Sequence, residues 1–372
     1  MQPQIKTLLS QLKPHFVFFD FAQDWLPQLS SELGIKTIFF SVFTALSTAY
    51  VTVPVRLRLT GDKNTPTIED MKIPPPGFPH ATSKTGTSLQ TFQARDLLYV
   101  FKSFHGGSSV DDRVLTCLKG CSAILAKTCK DMEAPYIDFV KTQFDKPVLL
   151  CGPVILESPS GVLEDRWATW LGQFPSKSVI FCSFGSETFL KDDQIKELVL
   201  GLELTDLPFC VVLKFPANVD SHVELIRALP EGFLERVKGK GMVHAGWVQQ
   251  QHILAHNSVG CYLCHAGFSS VIEALVNDCQ LVMLSQKGDQ FLNSKLMSED
   301  LKAGVEVNRR DEDGHFGKED ICMATKTVMV EVEKEPGKTI RANQKKWREF
   351  LLNKEIQNKF VTDLVGDMKA MA

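Results

Sequence analysis

Apolar runs of strand length alternate with amphipathic helix patterns along most of the chain. In the second half these runs are SVIFCSF, PFCVVLKF, MVHAGW, VGCYLC and QLVMLS. Strands that are apolar on both faces are typical of a parallel sheet covered by helices on both sides. Because right-handed crossovers connect such strands, the sequence predicts an α/β fold with doubly wound sheets.

The first half shows the same alternation with one long interruption. HFVFFDFA, KTIFFSV and SAILAKTC are predicted strands, and TALSTAYVTVPV is a predicted helix. Residues 61–88 are rich in Pro, Thr, Lys and Gly, which predicts a long surface loop. A Gly-Pro step and a Pro/Ser/Gly segment after PVLLC predict a domain boundary. We expect a first domain over residues 1–152, a linker over 153–175, a second domain over 176–352 and a C-terminal helix over 353–372.

The composition limits the classes of function. The 372 residues, 44% hydrophobic and 23% charged, have the make-up of a soluble protein of two domains. A formal net charge of −3 gives no reason to expect nucleic acid as a partner. The N-terminus lacks the core of a secretory signal, and Pro54 and five Ser/Thr interrupt the longest apolar run, residues 38–55. We therefore expect a cytoplasmic monomer without an integral membrane segment.

The 10 cysteines are spread through apolar runs, which is typical of reduced, buried thiols. Cys261 and Cys264 form a CxxC pattern, but no second pair of ligands follows at the spacing of a zinc site. Strand residues three positions apart also lie on opposite faces. The sequence therefore predicts no metal site here.

Four polar, glycine-bearing turns follow predicted strands of the second half: SFGSE, AGWVQQ, CHAGFSS and SQKGDQ. In a parallel sheet all four lie at the carboxyl edge, where ligands bind. The CHAGFSS turn has two interpretations. Ser270 and Glu273 match a capping box that only begins a helix. Alternatively, the helix amides with His265, Ser269 and Ser270 hold a phosphate, and Gly267 allows close approach of the backbone.

The neighbouring turns favour the phosphate hypothesis. Trp247 either belongs to the core or stacks on a base, and Asp289 with Gln290 either forms a plain turn or binds vicinal hydroxyls. Together the turns predict a nucleotide-sugar site, with an aromatic side chain for the base, a carboxylate for the ribose, a helix terminus for the diphosphate and an Asp-Gln pair for the sugar.

The segment from Trp247 to Gln290 resembles, without a gap, the signature box of plant UDP-dependent glycosyltransferases of secondary metabolism, in the pattern W..Q..IL.H...GC...H.G..S..E........V......DQ. The resemblance extends across nearly all of the chain, including FCSFGSE and LPEGF. VFFDFA..WLP, EALVNDCQ and KGDQFLNSKL are most similar to the branch that adds a second sugar to flavonoid or anthocyanin 3-O-glycosides. The resemblance implies a GT-B fold: two Rossmann-like domains facing a cleft, with the C-terminal helix packing back on the first.

The resemblance also implies a donor-binding role for each residue of the box. The indole of Trp247 would stack on uracil, and the backbone of Val248 would pair with the edge of that base. The ribose would be bound by Gln250 and Glu273. The diphosphate would be bound by His265, Ser269, Ser270 and, from another loop, Ser186. The sugar would be bound by Asp289 and Gln290, and a glutamine in this last place usually accompanies UDP-glucose.

Three positions depart from the commonest form of the box. Ala266, Phe268 and Ser269 stand where Cys, Trp and Asn are usual. Phe268 keeps an aromatic wall without an indole donor, and the side chain of Ser269 is shorter than that of Asn. These departures leave the donor sugar open among glucose, xylose, rhamnose and galactose, whereas nucleotide binding is still expected.

By resemblance, the reaction is an inverting transfer without a metal or other cofactor, and UDP-sugar is a co-substrate. A histidine oriented by an aspartate removes the proton of the acceptor hydroxyl. Asp20 stands in the place of that aspartate, although a strand-end aspartate can also simply cap a helix. The family's histidine lies well upstream, whereas His15 stands at the wrong end of the same strand. We therefore expect the catalytic histidine to be absent, the first domain to be incomplete and N-terminally truncated, and apolar sheet edges to be exposed.

Three hypotheses follow. The first is an enzyme that transfers a sugar, expected to be glucose, from UDP-sugar to a small-molecule acceptor such as a flavonoid glycoside. The second is a UDP-sugar-binding fragment or pseudoenzyme without the catalytic histidine. The third is a dinucleotide oxidoreductase. The sequence has no G-x-G-x-x-G at the start of a strand–helix unit, which argues against this hypothesis.

Overall fold

The computed structural model describes residues 2–58, 65–79, 87–103, 106–157 and 159–372. The chain divides into two compact units. The first unit comprises Met1–Val154 and Asn353–Ala372, and the second comprises Ile155–Leu352. Each unit contains one parallel β-sheet with helices in the connections.

The sheet of the first unit has the strand order β1-β2-β3-β4, and all neighbours are parallel. The elements before β3 are α1 Gln2–Leu12, β1 Phe16–Phe19, α2 Leu26–Glu32, β2 Lys36–Ser41, α3 Ala45–Val51, α4 Pro54–Arg58, α5 Ile68–Lys72, α6 Thr91–Leu97 and α7 Val110–Gly120. The remaining elements are β3 Ala123–Ala126, α8 Lys130–Phe144, β4 Val148–Leu150 and α18 Lys354–Met371, with 3₁₀ turns at Phe21–Gln23 and Leu98–Phe101.

Two predictions for the first unit need correction. The single helix predicted over TALSTAYVTVPV is two helices, because Pro54 has no amide hydrogen to continue α3 and instead begins α4. The loop predicted over residues 61–88 contains the helix α5, whose Thr67 and Asp70 form a capping box. Met71 on that helix is fully buried, so this part of the predicted surface loop packs into the core. Residues 59–64 and 80–86 lie outside the described residues.

The outer strand β1 and the helix α18 both pack against the core of this sheet. In the described sheet β1 pairs with β2 alone, and Phe18 is 48% exposed. Helix α18 packs Leu364 and Met368 against the core around Ile38 and Leu149.

The sheet of the second unit has the strand order β10-β9-β8-β5-β6-β7. The elements of its first half are α9 Asp165–Leu171, β5 Val179–Ser183, α10 Asp192–Thr205, β6 Phe209–Leu213, α11 Ser221–Ala228, α12 Phe233–Arg236, β7 Gly241–Ala245 and α13 Gln250–Ala255. They are followed by β8 Val259–Cys264, α14 Phe268–Val276, β9 Gln280–Met283, α15 Gln290–Lys295, a π-helical turn Leu296–Asp300, β10 Val305–Glu306, α16 Lys318–Met329 and α17 Gly337–Leu352.

The core of the second unit confirms the helix and strand patterns read from the sequence. Every residue of β5, β6 and β8 is buried, as expected for strands covered on both faces. The apolar stripe of α10 is buried, and α16 packs closely against the same helix at Gly201. A Cβ built on Gly201 would stand 2.5 Å from Cβ of Ile321, so only glycine permits this approach.

Among the described residues, no helix is long and apolar enough to cross a membrane. The ten cysteines carry free thiols, and Cys261 and Cys264 are both fully buried in β8. In the same described part of the chain, no three His, Cys, Asp or Glu side chains gather closely enough to hold a metal ion.

Candidate functional site

The candidate site lies at the carboxyl edge of the second unit's sheet. Because the strands are parallel, the segments that follow β5, β7, β8 and β9 all leave the sheet at this edge. These segments carry Gly185 and Ser186, Trp247 and Val248, His265 to Ser270, and Asp289 with Gln290.

His265 packs between two glycines. A Cβ on Gly185 would stand 3.0 Å from Cε1 of His265, and a Cβ on Gly267 would stand 2.8 Å from Nε2. Burial and, secondarily, the charge of Lys287 lower the pKa of His265 from 6.5 to about 4. The imidazole is therefore neutral at physiological pH. Its Nδ1 is buried and has no hydrogen-bond partner among the described residues.

Helix α14 does not begin with a capping box. Its N-cap is Gly267, and Ser270 lies in the first turn rather than at the N-cap, so that sequence interpretation is wrong. Ser270 is buried and hydrogen-bonds to the hydroxyl of Tyr262, whereas Ser269 is exposed. A glycine N-cap offers no side chain to the amides of the first turn, which have no partner within the helix itself.

A hydrogen-bonded network lies beneath the turn. The hydroxyl of Ser183 donates to Oε1 of Gln250 at 2.9 Å and shares a hydrogen bond of 2.8 Å with the hydroxyl of Tyr262. Nε2 of Gln250 donates to Oε2 of Glu273 at 2.6 Å. Burial raises the pKa of Glu273, and the hydrogen bond from Gln250 partly opposes that rise. The network fixes the Oε2 atom of the Glu273 carboxylate.

Trp247 is not a core residue. Its side chain is 70% exposed, whereas the next residue, Val248, is buried. Because this indole is exposed, the interpretation that Trp247 belongs to the core is wrong. An exposed aromatic face at a ligand-binding edge is suited to stacking on a planar group.

Asp289 and Gln290 are linked to the His265 turn through buried Asn293. The amide of Asn293 donates to the carbonyl of Ala266 and to Oδ2 of Asp289, each at 3.0 Å. Oε1 of Gln290 accepts from the backbone amides of Gln286 and Lys287 at 3.0 and 3.1 Å. Only the NH₂ group of Gln290 is therefore left to meet a ligand hydroxyl.

Asp20, in the first unit, follows β1 and is half-buried. Its Oδ1 accepts from the amide of Ala22 at 2.7 Å, so it caps the 3₁₀ turn, as one of the two sequence interpretations held. The guanidinium of Arg113 donates to the carbonyl of Ala22 at 2.6 Å and fixes the same turn. His15 is exposed and precedes β1, at the end opposite to Asp20. His80 and His105 lie outside the described residues.

Four residues of the candidate site were not found from the sequence: Ser183, Tyr262, Lys287 and Asn293. Ser183 and Tyr262 lie in apolar strands. Their hydroxyl groups were the one feature of the sequence that could have indicated a buried polar network. Lys287 reaches from the segment after β9 to Glu187 after β5, with its Nζ 3.2 Å from the carbonyl of Glu187.

Comparison with known proteins decides the family. The family model described as "UDP-glucoronosyl and UDP-glucosyl transferase" matches residues 176–336. An anthocyanidin-3-O-glucoside rhamnosyltransferase of Petunia hybrida is 67% identical over all 372 residues, which cover 78% of that relative. The chain belongs to the UDP-glycosyltransferase family.

Other matches agree with this assignment. An anthocyanidin 3-O-glucoside 2''-O-glucosyltransferase of Ipomoea nil is 41% identical to this glycosyltransferase over 361 residues, 97% of the chain and 76% of the relative. The crystal structure of a transferase from Siraitia grosvenorii in complex with UDP is similar with a TM-score of 0.79 and 22% identity, over 98% of this chain and 85% of that one. This likeness confirms the expected α/β fold of GT-B type.

Proposed function

We propose that the second unit binds UDP-sugar at the carboxyl edge of its sheet and that the first unit binds the acceptor. The observation that carries the donor site is Trp247, whose indole is 70% exposed on the edge that also carries the His265 turn and the Ser183–Gln250–Glu273 network. An aromatic plane, a carboxylate and a helix terminus on one edge match the base, ribose and diphosphate of a nucleotide.

In the proposed complex, the indole of Trp247 stacks on uracil and the backbone of Val248 pairs with its edge. Gln250 and Glu273 face the ribose, and the Oε1 atom that Gln250 leaves unoccupied accepts from a ribose hydroxyl. Four residues bind the diphosphate: Ser186, His265, Ser269 and Ser270. Gly267 permits its approach, Phe268 forms a wall, and Asp289 and Gln290 meet the sugar.

The acceptor proposed is a flavonoid 3-O-glycoside, because the Petunia and Ipomoea relatives are named for transfer to anthocyanidin 3-O-glucosides. The acceptor hydroxyl attacks the anomeric carbon, the bond between that carbon and the diphosphate breaks, and UDP departs with the electron pair. A general base takes the hydroxyl proton. We place Asp20 as the residue that orients this base, through Oδ2, because Oδ1 is bound by Ala22.

We propose glucose or rhamnose as the donor sugar. Gln290 predicts glucose, whereas the name of the Petunia relative gives rhamnose. Because Oε1 of Gln290 is bound by two backbone amides, this side chain contacts the sugar through its NH₂ group alone and discriminates weakly between sugars.

Titration calorimetry with UDP, followed by turnover assays, tests this function. The purified chain is titrated with UDP and then incubated with UDP-glucose or UDP-rhamnose and a flavonol 3-O-glucoside. We expect UDP to bind and a diglycoside to appear with one of the donors. If UDP did not bind, the proposed donor site would be wrong. Binding without product would support the second hypothesis, a UDP-sugar-binding protein without transferase activity.

A further inference from the structure

Three segments that follow neighbouring strands lie side by side at the proposed donor site. The strand order β9-β8-β5 places the His265 turn between the segment that carries Lys287 and the segment that carries Glu187. Nζ of Lys287 donates to the carbonyl of Glu187 at 3.2 Å and lies 3.7 Å from Oε2 of the same residue. The lysine side chain therefore spans the middle segment.

The backbone of this lysine is held beside the proposed sugar site, whereas its ammonium group belongs to an exposed ion pair. The amide of Lys287 donates to Oε1 of Gln290 at 3.1 Å, which holds the backbone beside the proposed sugar site. The side chains of Lys287 and Glu187 are 45% and 83% exposed. An ion pair this exposed contributes little to stability, so a stronger anion can displace the carboxylate at small cost.

The His265 turn supplies neutral donors to an anion. His265 is uncharged at physiological pH, because its pKa is about 4, and the serine hydroxyls and helix amides carry no net charge. Burial is the main cause of that low pKa, and the charge of Lys287 adds to it. A diphosphate carries at least two negative charges, and charge-assisted hydrogen bonds from a cation are roughly twice as strong as neutral ones.

We propose that Lys287 leaves Glu187 when UDP-sugar binds and donates to the diphosphate. In the transfer, the electron pair of the bond between the anomeric carbon and oxygen passes to the departing UDP, and the ammonium stabilises that growing charge while keeping its own proton. Glu187 competes with the ligand for the same ammonium. This inference rests on the proposed donor site.

Calorimetry with two ligands tests the role of Lys287. UDP and uridine are titrated into the unaltered chain, Lys287→Met and Lys287→Arg at low ionic strength. We expect Lys287→Met to weaken UDP binding about tenfold, the loss of one charge-assisted hydrogen bond, and to leave uridine binding unchanged. Lys287→Arg should stay within about threefold of the unaltered chain, because the cation remains. Glu187→Gln should tighten UDP binding, because it removes the competing charge.

Lys334→Met is the matched control, since Lys334 is an exposed lysine of the same unit paired with Glu331 at 3.4 Å, and it should bind both ligands normally. If the unaltered chain binds UDP and Lys287→Met binds it equally well, the inference is wrong while the donor site stands. Equal weakening of UDP and uridine would also overturn it, because Lys287 would then only support the loop. No binding of UDP by the unaltered chain would overturn the donor site itself.

Discussion

The amide of Gln250 donates to the carboxylate of Glu273 at 2.6 Å and so joins the first turn of α13 to the body of α14. Ser183 at the end of β5 holds the same glutamine from the other side, at 2.9 Å. The carboxylate is thereby oriented before any ligand arrives, which reduces the entropy lost on binding.

Glu273→Gln should weaken binding of uridine about tenfold, because a neutral amide replaces a carboxylate that, in the proposed complex, accepts charge-assisted hydrogen bonds from the ribose. Calorimetry with uridine measures the effect, and Glu349→Gln on the exposed face of α17 is the control. If Glu273→Gln bound uridine as tightly as the unaltered chain, Glu273 would not contact the ribose.

The effect of a substitution at His265 on UDP affinity should depend on whether the new side chain donates a hydrogen bond, and not on its charge. The pKa of about 4 makes the imidazole neutral at pH 7.5, so it can bind the diphosphate only as a neutral N–H donor. We expect His265→Gln, which keeps a neutral donor, to retain UDP affinity within about threefold, whereas His265→Ala should lose about tenfold. Titration with UDP at pH 7.5 compares the two variants, and an equal loss in both would contradict the donor role.

Gly185→Ala should weaken UDP binding by displacing His265. Its φ of +74° already disfavours alanine, and the new Cβ would meet the imidazole at 3.0 Å. Gly239→Ala is the matched control, because its φ is +82° and a Cβ there meets nothing within 4 Å. Both variants should lose about 1 kcal/mol of unfolding free energy, and only Gly185→Ala should lose UDP affinity. Loss of affinity in both variants would mean that backbone strain alone is responsible.

Trp247→Ala should weaken uridine binding without lowering the melting temperature, because an indole that is 70% exposed contributes little to the core. Trp167 is 1% exposed, so Trp167→Ala should lose about 3–5 kcal/mol of unfolding free energy. Thermal melts and uridine titrations of both variants separate the two roles. If Trp247→Ala lowered the melting temperature as much as Trp167→Ala does, Trp247 would be a core residue and the prediction would be wrong.

The strands of the second unit could be predicted because apolar runs such as VGCYLC have few alternatives to a buried parallel strand. The helix α5 was missed because the prolines and threonines around it are typical of loops. In the structure, burial of Met71 stabilises this helix. The capping-box interpretation of Ser270 failed because α14 begins earlier, at Phe268, than the first matching residue suggested.

The polar network of the site lay beyond sequence reasoning for a different reason. Ser183 and Gln250 are 67 positions apart, and Ser183 and Tyr262 are 79 apart. Their contacts depend on which strands become neighbours in the sheet, and a local pattern carries no such information. The neutrality of His265 likewise depends on burial and on Lys287, which belongs to another segment.

Asp111 on α7 should make the stability of the first unit depend on pH. Its side chain is 3% exposed, its Oδ1 has no hydrogen-bond partner among the described residues, and burial raises its pKa from 3.8 to about 7. Between those values the folded state binds more protons than the unfolded state, so stability falls as the pH rises through this window, by at most about 1.4 kcal/mol per pH unit. Above the folded pKa the cost is complete.

Asp111→Asn removes the ionisation and should therefore flatten the profile. We expect the variant to melt at a higher temperature than the unaltered chain at pH 8 and at a similar temperature at pH 4.5. Asp138→Asn, an exposed position on α8, should follow the unaltered chain at every pH. Melting temperatures of the three proteins at several values between pH 4 and pH 8 test this. Parallel curves for Asp111→Asn and the unaltered chain would show that Asp111 does not titrate in that range, because the difference in stability would then be independent of proton binding.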